Sequence, residues 1–298
     1  MRISDAIDGY LLFKTARVSP RTIVTDRGFL RQFTNWLGSD PQAHEITPEQ
    51  IRDYLAFHRE RGLSPFTIIR HRAILSALWA WLALPQNKLV DENIVRLYTS
   101  APKKPKRKIN TLTADESAAL IEAARVGKCP KRDEAIVRFM LDAGTRSMET
   151  RALQRADLDL KSGRAHVIGK GDKERFVYVG HRALHSVWLY LNTERPICKQ
   201  VKHDPMFLTF DGFPMSKNAL RMLMDRLGAR ANVPRLHPHL LRHTCAVERL
   251  KNGMNLEYLR EFLGHESIET TKQYLSGLRD EDIAQGAART SPGDNLRL

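Results

Sequence analysis

The stretch RAHVIGKGDKERFVYV, residues 164 to 179, interrupts a chain whose apolar residues otherwise recur at helical spacing. Two short runs rich in β-branched and aromatic residues, RAHVI (164–168) and RFVYV (175–179), flank GKGDKE. Segments of period two around a Gly-rich turn fold back on one another, so an antiparallel hairpin is expected here. Helical patterns surround it on both sides. The expected fold class is therefore mainly α with a small antiparallel β-sheet.

Downstream, helical spacing resumes over 181–193, 216–230, 239–252, 256–263 and 267–275. Upstream, Thr113 and Glu116 form a capping-box pattern that opens a helix running to about Arg125, and 133–143 continues with helical periodicity. Further back, Ser19-Pro20, Thr47-Pro48 and Ser64-Pro65 each set a capping hydroxyl before a proline suited to the first helical position. Gln50 completes a capping box with Thr47. The apolar run AILSALWAWLAL, residues 73–84, is too short to span a bilayer and stops at Pro85; it reads as a core helix. Between the two helical regions lies APKKPKRKIN, residues 101–110, a proline-rich basic break. The reading is two domains: a helical domain at 1–97, a linker at 98–110, a second domain at 111–275, and a C-terminal segment at 276–298 with a short helix and a flexible tail.

Of the net charge of +14, residues 1–100 carry +3 and residues 101–110 alone carry +5. So basic a protein is expected to meet a polyanion, with nucleic acid the first candidate. Lys103, Lys104, Lys106, Arg107 and Lys108 are the candidate phosphate contacts of the linker; the bland alternative is a solvated tether. Three cysteines far apart in sequence give no disulfide framework. The amino terminus MRISDAIDGYLLF lacks the pattern of a secretory signal, so a cytoplasmic, nucleoid-associated protein without a membrane segment is expected.

HPHLLRHT, residues 237–244, offers His237, His239 and His243, with Cys245 beside them, as zinc ligands. Pro238 favours an irregular entry, no His-Glu-x-x-His occurs, and neighbouring arginines repel a dication, so no metal is expected. VIGKGDK is superficially similar to a phosphate-binding loop, yet Gly163 precedes Gly169 by six and Lys170 is followed by glycine. Arginine supplies the stronger signal. Arg146 in AGTRSMETR and Arg242 in HPHLLRHT present forked donors near helix ends, a geometry that grips phosphate oxygens. Glu149, one turn beyond Arg146, is placed to orient a guanidinium or to form an exposed ion pair. LGHESIETTKQY adds His265 and, nine residues later, Tyr274.

Taken in order, AGTRSMETRAL, GKGDKER, HPHLLRHT and LGHESIETTKQY resemble the tyrosine recombinase family, the phage-type integrases, and the layout resembles its compact Xer-type members. The resemblance covers most of the chain and is densest over 140–275. It implies Arg146 and Arg242 as phosphate-binding arginines, Lys170 as the hairpin lysine, His239 and His265 as active-site histidines, Tyr274 as nucleophile and Glu149 as the support of the first arginine. It implies a helical core-binding (SAM-like) first domain that clamps duplex DNA with the catalytic domain. The chain departs from the family pattern at Thr145, where an apolar residue is usual, and at VYVG, where a proline is common. It is also expected to begin directly with the core-binding domain, without an arm-binding module.

The activity implied by the resemblance is that of a site-specific DNA recombinase, working through a 3′-phosphotyrosyl intermediate and a Holliday junction. Its partners would be double-stranded DNA carrying a specific recombination site and three further copies in a homotetramer, with or without a second recombinase. A phosphotyrosyl ester retains the energy of the phosphodiester, so no cofactor is expected. His239 would accept the phenolic proton or contact phosphate, His265 would donate to phosphate, and Lys170 would protonate the leaving oxygen. The alternatives are a type IB topoisomerase-like activity and a non-catalytic DNA-binding protein.

Overall fold

Serine and threonine caps mark where three helices of the first part of the chain begin. The computed structural model describes residues 1–103, 109–169, 171–199 and 204–289. Lys104, Lys106, Arg107 and Lys108 of the linker, and Lys170 of the hairpin, lie outside the described residues; Lys103 is described and exposed. The chain divides into two compact units, Met1–Lys106 and Arg107–Leu298.

The first unit contains α1 (Ile3–Thr15), α2 (Pro20–Leu37), α3 (Pro48–Glu60), α4 (Pro65–Leu82) and the short α5 (Ile94–Tyr98). Ser19, Thr47 and Ser64 accept the backbone N–H of Thr22, Gln50 and Thr67, each with proline at the first helical position. These satisfy donors that a helix start leaves unpaired. The apolar run 73–84 becomes the second half of α4, whose Ile68, His71, Leu75, Leu78, Trp79 and Leu82 are buried at spacings of three and four. That spacing turns one continuous face inward, and α1, α2, α3 and α5 pack around it.

Histidine enters this core as well. The Tyr54 hydroxyl and His71 Nδ1 are hydrogen-bonded at 2.8 Å, and the ring of buried His58 lies 4.2 Å from that of His71. Neither ring nitrogen of His58 has a hydrogen-bond partner. Burial, with His58 adding to it, lowers the His71 pKa to about 4.

The second unit contains α6 (Ala114–Ala124), α7 (Pro130–Ala143), α8 (Ser147–Ala152), the hairpin of β1 (Arg164–Ile168) and β2 (Glu174–Tyr178), then α9 (His181–Thr193), α10 (Lys217–Arg230), α11 (Pro238–Lys251), α12 (Leu256–Leu263), α13 (Ile268–Lys272) and α14 (Asp280–Arg289). The mainly helical fold with a small two-stranded antiparallel sheet is as expected. The strands pair from Arg164 with Tyr178 to Ile168 with Glu174, so β2 begins one residue earlier than RFVYV. Ala165, Val167 and Val177 are buried while Phe176 and Tyr178 face out. α7 is buried along most of its length and packs against α6, α9 and α11. The Leu112 N–H donates to Thr244 Oγ1 at 2.9 Å, tying the start of this unit to α11.

The helix expected over 267–275 ends earlier, at Lys272, and Gln273–Gly277 tighten into a 3₁₀ turn. A side chain in such a turn faces a different direction from its α-helical position, because residues recur every three rather than every 3.6. Among the described residues no helix is long and apolar enough to cross a membrane.

The first unit should be acid-sensitive. Folded His71 stays neutral down to about pH 4, whereas in the unfolded chain it takes up a proton near 6.5. The unfolded state thus binds more protons between these values, so stability is complete above pH 6.5 and declines by about 3 kcal/mol as pH falls through 4. Urea midpoints followed by fluorescence of Trp36, Trp79 and Trp81 check this; His71→Gln should flatten the dependence.

Candidate active site

α7 ends at Gly144, whose φ of +57° places it in the left-handed region. A Cβ there would stand 3.0 Å from Leu263 Cδ2 and 3.1 Å from Cys245 Sγ, so glycine also lets α7, α11 and α12 approach. The chain turns through Thr145 into Arg146, the N-cap of α8. Thr145 and Thr150 bond through their hydroxyls at 2.7 Å, so the polar residue at a usually apolar position is satisfied in place.

Glu149 sits at the third position of α8 and is buried, with 2% of its surface exposed. Its Oε2 accepts the Arg146 N–H at 2.7 Å and its Oε1 the Arg146 guanidinium at 2.8 Å. Arg175, from β2, binds the same carboxylate through both terminal nitrogens at 2.8 Å each. Arg242 Nη1 is 4.0 Å from Oε2. Burial would raise the carboxyl pKa; the Arg175 hydrogen bonds and charge, with Arg146, override it and hold the value at about 2.

Backbone carbonyls fix the far side of each guanidinium. Arg175 Nε donates to Phe262 O at 2.9 Å, Arg242 Nη2 to Leu263 O at 2.8 Å, and Arg146 Nη2 to Gly264 O at 3.2 Å. These are the last carbonyls of α12, which lack partners within the helix and carry its partial negative charge. Arg242 Nη1 donates to Gly144 O, just past the end of α7, at 2.7 Å. Three arginines thus converge on one carboxylate and two helix ends, leaving a formal excess of two positive charges in a largely buried place. Burial, with the charge of Arg146, lowers the Arg242 pKa to about 10, so it remains a cation at neutral pH.

His265, just after Gly264, lies between Arg242 Nη2 (2.9 Å from Nε2) and Thr271 Oγ1 (2.9 Å from Nδ1). A guanidinium can only donate, so Nε2 accepts and Nδ1 carries the proton. Burial and the charges of Arg242 and Arg146 lower its pKa to about 4. A ring in this state is an acceptor toward Arg242; donation to a phosphate requires a proton at Nε2.

Tyr274, in the 3₁₀ turn, is 1% exposed. Its ring stacks on that of His265 at 6.0 Å and 11°, and its hydroxyl is 3.3 Å from His243 Nδ1. Burial raises the phenol pKa, opposed by the nearby Arg242 charge. His239 is exposed one turn before His243 on α11, with ring centres 6.4 Å apart. Crowding by protein and the charge of Arg242 lower its pKa. His237 caps α11 by accepting the Leu240 N–H on Nδ1 at 3.1 Å. Among the described residues no three metal-ligating side chains converge.

Of the residues singled out in the sequence, Arg146, Glu149, Arg242, His265 and Tyr274 are brought into one connected network. His239 borders it, and Lys170 lies outside the described residues. Gly169 passes the carboxylate closely: a Cβ there would stand 3.5 Å from Glu149 Oε1. Sequence reasoning misses Arg175 and Thr271 and gives His243 no part in the site. Arg175 leaves one signal, a charge in register with inward Val167 on a strand whose other inward residue is Val177.

Known family models match both parts of the chain. The model of the phage integrase family matches residues 110–279, and that of the phage integrase N-terminal SAM-like domain matches residues 7–86. The tyrosine recombinase XerD of Halalkalibacterium halodurans is 33% identical over 236 residues, 78% of each chain. The crystal structure of XerA recombinase is 26% identical, covers 97% of this chain and 99% of its own, and superposes with a TM-score of 0.54. The Tn1549 transposon integrase, solved in complex with a circular intermediate DNA, shares the fold at a TM-score of 0.80, 18% identity and coverage of 98% and 100%.

Glu149→Gln should destabilise the second unit by about 3 to 5 kcal/mol, since it leaves buried guanidinium groups without their counter-charge. Comparing urea unfolding of the two chains above pH 5 tests this; a loss under about 1 kcal/mol would show that the helix-end carbonyls suffice.

Proposed function

The chain belongs to the phage integrase family and is a tyrosine recombinase, a site-specific DNA recombinase enzyme, and we propose how its residues cut and rejoin a strand. The carrying observation is the excess positive charge held by Glu149 beside the phenol of Tyr274. A phosphodiester placed against Arg146 and Arg242 would meet fixed donors whose charge is already assembled, and such preorganisation stabilises the charge that grows on the non-bridging oxygens. Tyr274 would attack phosphorus to form a 3′-phosphotyrosyl bond. Lys170, assigned from its sequence motif, would give the departing 5′ oxygen its proton.

An isolated phenol has a pKa near 10 and costs about 4 kcal/mol to ionise at pH 7; burial here adds to that cost. The phenol therefore needs a proton acceptor as it attacks. Neutral His265 accepts from Arg242, a bond that an arriving phosphate would rearrange. His239, exposed beside Arg242, suits a contact to phosphate.

The partner is duplex DNA with a specific site, held by the second unit, with the helical first unit and Lys103, Lys104, Lys106, Arg107 and Lys108 as further phosphate contacts. Exchange of strands would pass through a Holliday junction in a homotetramer, alone or with a second recombinase, in the cytoplasm at the nucleoid. The exposed Ile283 on α14 offers an apolar contact for a neighbouring protomer.

A duplex that the chain itself enriches from a random-sequence pool, nicked near its centre, supplies the test. Denaturing electrophoresis should reveal a covalent adduct, undiminished in EDTA and lost in Tyr274→Phe with binding retained. Arg146→Lys or Arg242→Lys should slow its formation about a hundredfold to a thousandfold. Supercoil relaxation without any paired site would instead favour a topoisomerase.

A further inference from the structure

We propose that His243, rather than His239, accepts the phenolic proton of Tyr274 during strand cleavage and returns it on rejoining. This rests on the reading of Tyr274 as the nucleophile. The residue lies in HPHLLRHT, but neither the arginine pattern nor the family resemblance gives it a part.

The surroundings of the Tyr274 hydroxyl leave few candidate bases. A phenol with 1% of its residue surface exposed has little access to bulk water as a base. Arg242 is a cation and has no lone pair to offer. Glu149 is engaged by Arg146 and Arg175 and held far below neutrality in its affinity for protons. His265 is close, yet its Nε2 accepts from Arg242 and its Nδ1 faces Thr271. Its ring also lies nearly parallel to the phenol, 11° apart, so the two meet by their faces while the nitrogen lone pairs lie in the ring plane.

His243 meets the phenol differently. Its ring is tilted by 57° with centres 5.5 Å apart, and Nδ1 stands 3.3 Å from the hydroxyl oxygen. A ring accepting at Nδ1 carries its proton on Nε2, which is the neutral tautomer a general base needs. The distance is at the long end for a hydrogen bond, and such contacts shorten when the reacting groups are drawn together. His239, one turn earlier, is exposed on the side of Arg242 and Arg146, where a phosphate rather than a phenol would be met.

In the forward step the Tyr274 oxygen bonds to phosphorus, the bond from phosphorus to the 5′ oxygen breaks, and the phenolic proton moves to His243 Nδ1. The 5′ oxygen leaves as a hydroxyl with the proton of the general acid, Lys170 in the proposed mechanism. On rejoining, a 5′ hydroxyl attacks the phosphotyrosyl phosphorus and gives its proton back to that amine. The tyrosyl oxygen departs with the proton stored on the imidazolium. Every proton is restored after one cycle.

The same enriched, nicked duplex reads this directly. His243→Asn keeps an acceptor oxygen near the position of Nδ1 but cannot hold the proton, whereas His243→Ala removes both. Both should form adduct at least about a hundredfold more slowly, with duplex binding and thermal unfolding unchanged. Free imidazole should restore part of the rate to His243→Ala. A substrate with sulfur in place of the bridging 5′ oxygen, whose leaving group needs no proton, should not rescue either variant.

Wild-type rates in His243→Asn would reduce the residue to positioning and overturn the proposal. So would rescue by the sulfur substrate, or a larger unrescued loss in His239→Ala than in His243→Ala. Should His243→Ala fail to fold, the asparagine variant and the sulfur substrate decide alone. Adduct formation by Tyr274→Phe would instead sink the nucleophile reading itself, whatever His243 does.

Discussion

One buried carboxylate makes the rest of the site possible. Three guanidinium groups brought this close would repel one another strongly in a medium of low dielectric. Glu149 offsets part of that repulsion, and the carbonyl ends of α7 and α12 offset more through aligned partial charges. The balance is incomplete: there is enough negative charge to assemble the cations, and too little to neutralise them. The result is a place whose unmet need is an anion with several acceptor oxygens. A phosphodiester fits that need, and a carboxylate or a chloride fits it less well because it offers fewer oxygens at the right separation.

The glycines answer to the same constraint. Gly144 and Gly264 both adopt positive φ immediately after a helix, which turns the carbonyls of Gly144, Leu263 and Gly264 toward the arginines. At Gly264 a Cβ would stand 2.9 Å from Arg175 Cδ, so a side chain there would displace the partner of Glu149. The helix ends thus have two duties at once. They stop the helices, and they finish the cation cradle.

Local features were legible in the sequence because their causes are local. Ser19, Thr47, Ser64 and Thr113 announce helix starts through bonds spanning three residues, and the alternation of RAHVI and RFVYV announces the hairpin. The arginine motifs were legible through their context and order. Arg175 was not, because its partner is 26 residues away and the hydrogen bond exists only after β2 folds onto α8 and α12. His243 was hidden for a related reason: an α-helix carried through 275 would have given Tyr274 another direction, and only the 3₁₀ turn brings its hydroxyl to α11. Histidine in particular has no fixed meaning in a sequence. His71 is packed in a core, His237 caps a helix, His265 bridges an arginine and a threonine, and His243 faces a phenol.

The seal over Tyr274 carries a consequence for the life of the molecule when no duplex is bound. Nucleotides, polyphosphate and frayed RNA ends all present phosphorus to a cationic surface, and an open tyrosine there would invite dead-end esters. With its ring clasped between His243 and His265 and shut away from solvent, the proposed nucleophile is held out of their reach. A phosphodiester would have to be seated against Arg146 and Arg242 to meet this phenol, so small phosphate solutes that make few contacts are disfavoured before any base is read.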